Sequence, residues 1–226
     1  MPPSRPVIGA IAALVFAALG GCGGDDSGGS SDPAAAPTST EEGAGGERVN
    51  VGGDEALVWG KGSYGVVLAH GAAFDAASWE TQATQIADQG MVALAVEDIA
   101  PETILAAAEY LKQERGVKGV ALVGGSAGAD GILQAASQEP AAPDQLILLS
   151  ANQTVDGLGS EPKLFIASED EPVADVSREL AESAPGDENE AQILPGDAHA
   201  QNIFDTDQGE PATQAILERL ERFSRE

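Results

Sequence analysis

Apolar residues along this chain fall into short continuous runs, separated by longer segments in which they recur every three or four positions. Gly-Val-Val-Leu-Ala at 65–69, Met-Val-Ala-Leu-Ala-Val at 91–96 and Gly-Val-Ala-Leu-Val at 119–123 show no polar alternation. Strands of a parallel sheet read this way, because helices cover both of its faces. Further strands are expected at 145–149, 163–167 and 191–194. Between them, 76–89 reads as a helix with Trp79 in its core-facing stripe. Residues 102–115 place Ile104, Leu105, Ala108 and Leu111 at helical spacing, with Gly116 as a C-cap candidate. Helices are also expected over the Ala-rich 129–137, over 173–183, and over 211–224, where Ile216, Leu217, Leu220 and Phe223 share a face. Residues 47–51 and 56–59 read as a hairpin around Gly52-Gly53-Asp54. The expected architecture is an α/β, three-layer α/β/α sandwich with a mostly parallel sheet. The short connection at 151–162 leaves no room for a large cap domain.

The first residues do not fit this alternation. Residues 1–6 carry Arg5, 7–19 form an apolar run too short to span a bilayer comfortably, and Leu19-Gly20-Gly21-Cys22 follows. This resembles a bacterial lipoprotein signal: 1–21 is expected to be removed and Cys22 to be lipidated. Residues 22–46 hold Gly, Ser, Pro, Ala, Thr and acids with almost nothing to bury, as in a flexible linker. The folded domain is then 47–226. It is expected outside the cytoplasm, tethered to a cell membrane by a lipid and not spanning it.

Composition narrows the options. In a chain of 226 residues, 37 Asp and Glu oppose 11 Lys and Arg, a net charge of -26. Such a charge argues against nucleic acid and anionic membrane surfaces as direct partners. A single Cys excludes an intramolecular disulfide, so the domain must stand on its core. There is no H-E-x-x-H, no Cys cluster and no G-x-G-x-x-G, and no G-K-[ST] follows Gly124-Gly125. No metal and no nucleotide cofactor are expected.

Chemistry concentrates at Gly124-Gly125-Ser126-Ala127-Gly128, where a buried strand runs directly into a helix. A serine on so sharp a turn needs neighbours without a Cβ two residues to either side, and Gly124 and Gly128 meet that demand. Its Oγ is then presented at the top of the sheet, with the N-terminal N–H groups of the next helix facing developing negative charge. Ser126 is the candidate nucleophile. The chain has only two histidines to serve as its base.

In chain order, His70-Gly71 follows one strand, G-x-S-x-G a second, an acidic cluster a third, and His199 the last. This order resembles that of the α/β-hydrolase family over roughly residues 64–223. The compact layout is most similar to the small dienelactone-hydrolase-like and esterase members. Dienelactone hydrolases proper use a Cys nucleophile, so Ser126 favours general ester chemistry over lactone hydrolysis. The resemblance implies His199 as base and a structural His70 that shapes the oxyanion loop. It also implies backbone N–H donors at Ala72 and Ala127. The acid is expected among Glu169, Asp170 and Glu171, with Asp170 as the first choice. Glu171 is the alternative because it stands directly before Pro172. The implied activity is hydrolysis of small carboxylic esters through an acyl-enzyme. Peptidase or acyltransferase chemistry on the same triad, or a surface lipoprotein that binds without turnover, are the alternatives.

Overall fold

A computed structural model of the protein describes residues 45–224. The expected signal, Cys22 and nearly all of the expected linker lie outside the described residues. Eight strands form one sheet: β1 (Glu47–Val51), β2 (Asp54–Gly60), β3 (Tyr64–Ala69), β4 (Val92–Val96), β5 (Gly119–Gly125), β6 (Gln145–Leu149), β7 (Lys163–Ser168) and β8 (Asn189–Leu194). Their spatial order is β1-β2-β4-β3-β5-β6-β7-β8. All pairings from β4 to β8 are parallel, while the β1–β2 hairpin and its junction with β4 are antiparallel.

Side-chain alternation along the central strands divides the core. Val67, Leu94, Leu122, Leu146 and Phe165 face one side, together with Ile104 and Leu111 of α2 (Pro101–Glu114). Ile132 and Leu133 of α3 (Ala127–Gln138) and Leu180 of α4 (Ala174–Ser183) pack into the same layer. Val66, Leu68, Val123, Ile147 and Ile166 face the other side, against Ile86 of α1 (Glu80–Asp88) and Ile216 and Leu220 of α5 (Gly209–Phe223). The result is the expected three-layer sandwich. The segment between β6 and β7 contains no helix or strand, so no large cap is inserted there.

The elements depart from the sequence expectation mainly at their ends. The first helix opens as a 3₁₀ turn, Ala76–Trp79, capped by the Asp75 side chain on Ser78 N–H. Trp79 is core, fully buried and edge-on to Phe204 at 5.8 Å between ring centroids. A second 3₁₀ segment, Ala200–Asp205, fills a stretch with no clear periodicity. β8 starts two residues earlier than its apolar run. As an edge strand it pairs only with β7 and tolerates the polar Asn189 and Glu190.

Lys163 opens β7 with a fully buried side chain. Its ammonium donates to the carbonyls of Gly159, Glu161 and Pro185 at 2.7, 2.7 and 2.9 Å and lies 3.5 Å from the Glu161 carboxylate. Burial pushes the Lys163 pKa down, and Glu161 opposes that shift. Burial likewise raises the Glu161 pKa, with Lys163 opposing. This cluster ties down the loop entering β7 at the end of the sheet opposite the elbow.

Candidate active site

The C-terminal ends of β5, β6, β7 and β8 meet at one point, as parallel strands do where helices follow them. β5 ends at Gly125, and the chain reverses into α3 through Ser126, whose backbone is left-handed at φ 52° and ψ -117°. A non-glycine residue is strained there, which marks a sharp elbow. The two flanking glycines act as expected. A Cβ on Gly124 would come within 2.8 Å of the Gly128 carbonyl carbon, and one on Gly128 would lie 2.6 Å from the His70 carbonyl oxygen.

Ser126 and His199, expected together, meet: Nε2 of His199 lies 2.8 Å from Ser126 Oγ. The Nδ1 of His199 is 2.6 Å from Oε2 of Glu171. Asp170, the first choice from sequence, is therefore not the acid beside the histidine. Past the end of β7 the backbone keeps pairing, with Glu169 N–H donating to Leu194 O and Asp170 N–H to Gly196 O. Asp170 is consequently held on the outside of the turn, exposed to water. The chain bends one residue later, and Glu171 folds back beneath it with a side chain only 1% exposed. Oε1 of Glu171 accepts hydrogen bonds from Ser150 Oγ at 2.7 Å and Ser168 N–H at 2.8 Å. A buried carboxylate needs such donors, and three strand ends supply them.

His70 has a different environment. Its ring nitrogens lie 2.8 Å from Gly71 O and 2.9 Å from Glu97 O, and the ring is buried. It braces the end of β3 against the end of β4. The turn after it closes through Phe74 N–H to Gly71 O at 2.9 Å. Gly71 backs onto the elbow, since an added Cβ would sit 3.5 Å from Ser126 Cβ. Ala72 follows that contact directly. Ala127 opens α3, where the first intrahelical bond runs from Asp130 N–H to Ser126 O, so the Ala127 N–H has no helical acceptor. Ala127 is thus next to Ser126 in the chain, and Ala72 is next to the glycine that backs onto it.

Gln201 and Ser150 carried no sequence signal. Gln201 is buried, accepts from Gly71 N–H at 2.7 Å and donates to Ser78 Oγ at 2.8 Å, holding the turn in front of the elbow. Such long-range bonds have no local periodicity, so only assembly reveals them. Among the described residues no group of three or more His, Cys, Asp or Glu side chains is placed to hold a metal ion.

The arrangement can relay a proton from a serine hydroxyl to an imidazole whose other nitrogen faces a carboxylate. No protein-family model and no curated protein sequence matches the chain. Solved structures do. Est1E from Butyrivibrio proteoclasticus superposes with a TM-score of 0.64 at 16% identity, over 80% of this chain and 100% of that one. An esterase/lipase from an uncultured bacterium gives 0.67 at 16% identity, over 80% of this chain and 85% of that one. A monoacylglycerol lipase from Paleococcus ferrophilus gives 0.60 at 14% identity, over 73% and 97%. The chain has the α/β-hydrolase fold.

Gly128→Ala tests the elbow packing. The added methyl meets the backbone carbonyls of Ala69 and His70, which cannot rotate away as a side chain could. The variant should lose about 2 kcal/mol or more of unfolding free energy. A urea midpoint equal to that of the parent chain would show that the helix does not press on β3.

Proposed function

We propose that the chain is a serine hydrolase acting on small carboxylic esters. One observation carries this reading: the unbroken series Ser126 Oγ, His199 Nε2, His199 Nδ1, Glu171 Oε2, with contacts of 2.8 and 2.6 Å. In this reading Ser126 Oγ attacks the acyl carbon while His199 takes its proton. Glu171 holds the imidazole in the tautomer that leaves Nε2 free to accept. The N–H groups of Ala72 and Ala127 receive the oxyanion, each donor worth about 3 kcal/mol of barrier. His199 then protonates the leaving alcohol, and water attacks the acyl-enzyme by the same route in reverse. Neighbours of the same fold that are esterases and lipases support ester chemistry in general. Within the fold, the uncapped connection after β6 fits the small dienelactone-hydrolase-like esterases.

Charge limits the substrate class. The segments leaving the parallel strands at their C-terminal ends carry Asp75, Glu97, Asp98, Glu169, Asp170 and Asp197 and no Lys or Arg. A negatively charged ester must approach against that field, whereas a neutral one need not. We further assign Cys22 as a lipid attachment site that tethers the domain outside the cytoplasm, on the strength of the apolar run and small residues before it.

Turnover of p-nitrophenyl esters tests the reaction. The parent chain should be active, and Ser126→Ala, His199→Ala and Glu171→Gln should each lose about 10³-fold or more in kcat. Asp170→Asn should stay within about twofold, since Asp170 faces solvent. If Asp170→Asn proves as damaging as Glu171→Gln, the assignment of the acid is wrong. A p-nitrophenyl ester whose acyl chain ends in a carboxylate should show kcat/KM about tenfold below its neutral counterpart, with the gap narrowing in high salt. Equal rates would remove the charge argument. For the anchor, the full chain expressed in a bacterial host should fractionate with membranes and Cys22→Ser should not. Retention of the mutant would refute lipidation at that residue.

A further inference from the structure

Among the described residues, Ser126, Ser150 and Ala200 are the non-glycine residues with positive φ, at 52°, 50° and 50°. A left-handed backbone is unfavourable for any residue with a Cβ and persists only where its surroundings over-determine it. The elbow accounts for Ser126. The other two are joined to each other, because Ala200 N–H donates to Ser150 Oγ at 2.8 Å. The same hydroxyl donates to Glu171 Oε1 at 2.7 Å.

We propose that Ser150 is a positioning residue for ester hydrolysis, its hydroxyl clamping the Glu171 carboxylate to the backbone that carries His199. The proposal rests on the serine-hydrolase reading above. Ser150 is fully buried and follows directly on β6. Its own N–H donates to Ile166 O at 2.8 Å, and the carbonyl of Leu149 just before it accepts from Ser126 N–H at 2.9 Å. The end of β6 therefore touches the backbone of the nucleophile, the carboxylate of the acid and the residue after the base.

The chemistry at this point calls for a hydroxyl. One group must donate to a carboxylate and accept from an N–H within a fully buried space, and a serine has one proton and free lone pairs to do both. Alanine and glycine offer neither function. Threonine would add a β-branch to a left-handed backbone. With Oε1 held by Ser150 Oγ and Ser168 N–H, Oε2 is left to face His199 Nδ1. Ala200, pinned to the same hydroxyl, fixes the backbone one residue beyond the imidazole. Ser150 thus sets the separation between acid and base without touching the reacting atoms.

The test compares Ser150→Gly and Ser150→Cys with the parent chain. Glycine adopts φ 50° without strain, so Ser150→Gly removes the hydroxyl while favouring the native backbone. Cysteine keeps a weak donor and acceptor at the same place. Measurements are kcat and KM on p-nitrophenyl butyrate, the rate at which a fluorophosphonate labels Ser126, and the thermal midpoint. Ser150→Gly should lose about tenfold or more in kcat and in labelling rate, with KM changed by less than about twofold. Ser150→Cys should recover part of both. A folded Ser150→Gly with parental kcat and labelling rate would reduce Ser150 to a structural role and overturn the proposal. So would an effect confined to KM. Should the glycine variant fail to fold, a folded Ser150→Ala variant, which also lacks the hydroxyl, with parental kcat and labelling rate has the same meaning. A parent chain that neither turns over esters nor takes the label would overturn the hydrolase reading itself, and the proposal with it. A parent that labels but does not hydrolyse butyrate leaves the labelling rates to decide.

Discussion

A buried carboxylate is among the most demanding groups a fold can contain, because it loses water and can only accept hydrogen bonds. Glu171 imposes that demand here. Its two oxygens take donors from Ser150 beyond β6, from Ser168 at the end of β7, and from His199 on the loop after β8. Three separate connections must therefore arrive together before any of them is satisfied. Leaving one donor out would cost about 1–3 kcal/mol, a large part of the stability of a domain this size. The site is consequently built into the packing of the sheet and is not hung on loose loops.

The same economy of parts governs the elbow. Gly124 and Gly128 allow β5 and α3 to cross with the backbone of β3 pressed against the helix. That close approach brings the turn at Gly71–Phe74 alongside Ser126. Gln201 then ties this turn to the 3₁₀ segment that begins just after His199. Among the described residues, positive φ outside glycine falls at Ser126, Ser150 and Ala200, and each is held by hydrogen bonds to a neighbouring strand end or loop. The large opposing cost is met by the two apolar layers, where Trp79, Phe165, Leu122 and Ile132 are fully buried.

Charge separates the two ends of the sheet. Lys163, Arg219 and Lys112 bind backbone carbonyls near the end opposite the elbow, and Arg222 pairs there with Glu188. The connections around Ser126 carry acids and no Lys or Arg. The connections that hold Ser126 and His199 thus contribute negative charge with no Lys or Arg among them to offset it.

What the sequence determined by itself was whatever depends on near neighbours in the chain. Continuous apolar runs marked the buried strands, helical spacing marked α2 and α5, alanine content marked α3, and the glycines around Ser126 marked the elbow. His199 was legible because the chain has only two histidines and one of them directly follows β3. Tertiary structure decided which of three consecutive acids reaches the imidazole. Asp170 and Glu171 differ by one position and one methylene, and the choice turns on how far β7 and β8 stay paired beyond their ends. Ser150, Gln201 and the burial of Lys163 were likewise settled only on assembly. Their partners lie far along the chain or on its backbone carbonyls, so no local pattern records them. Periodicity reports which face of an element is buried; the hydrogen-bond partner of a buried polar group is fixed only when distant strand ends meet.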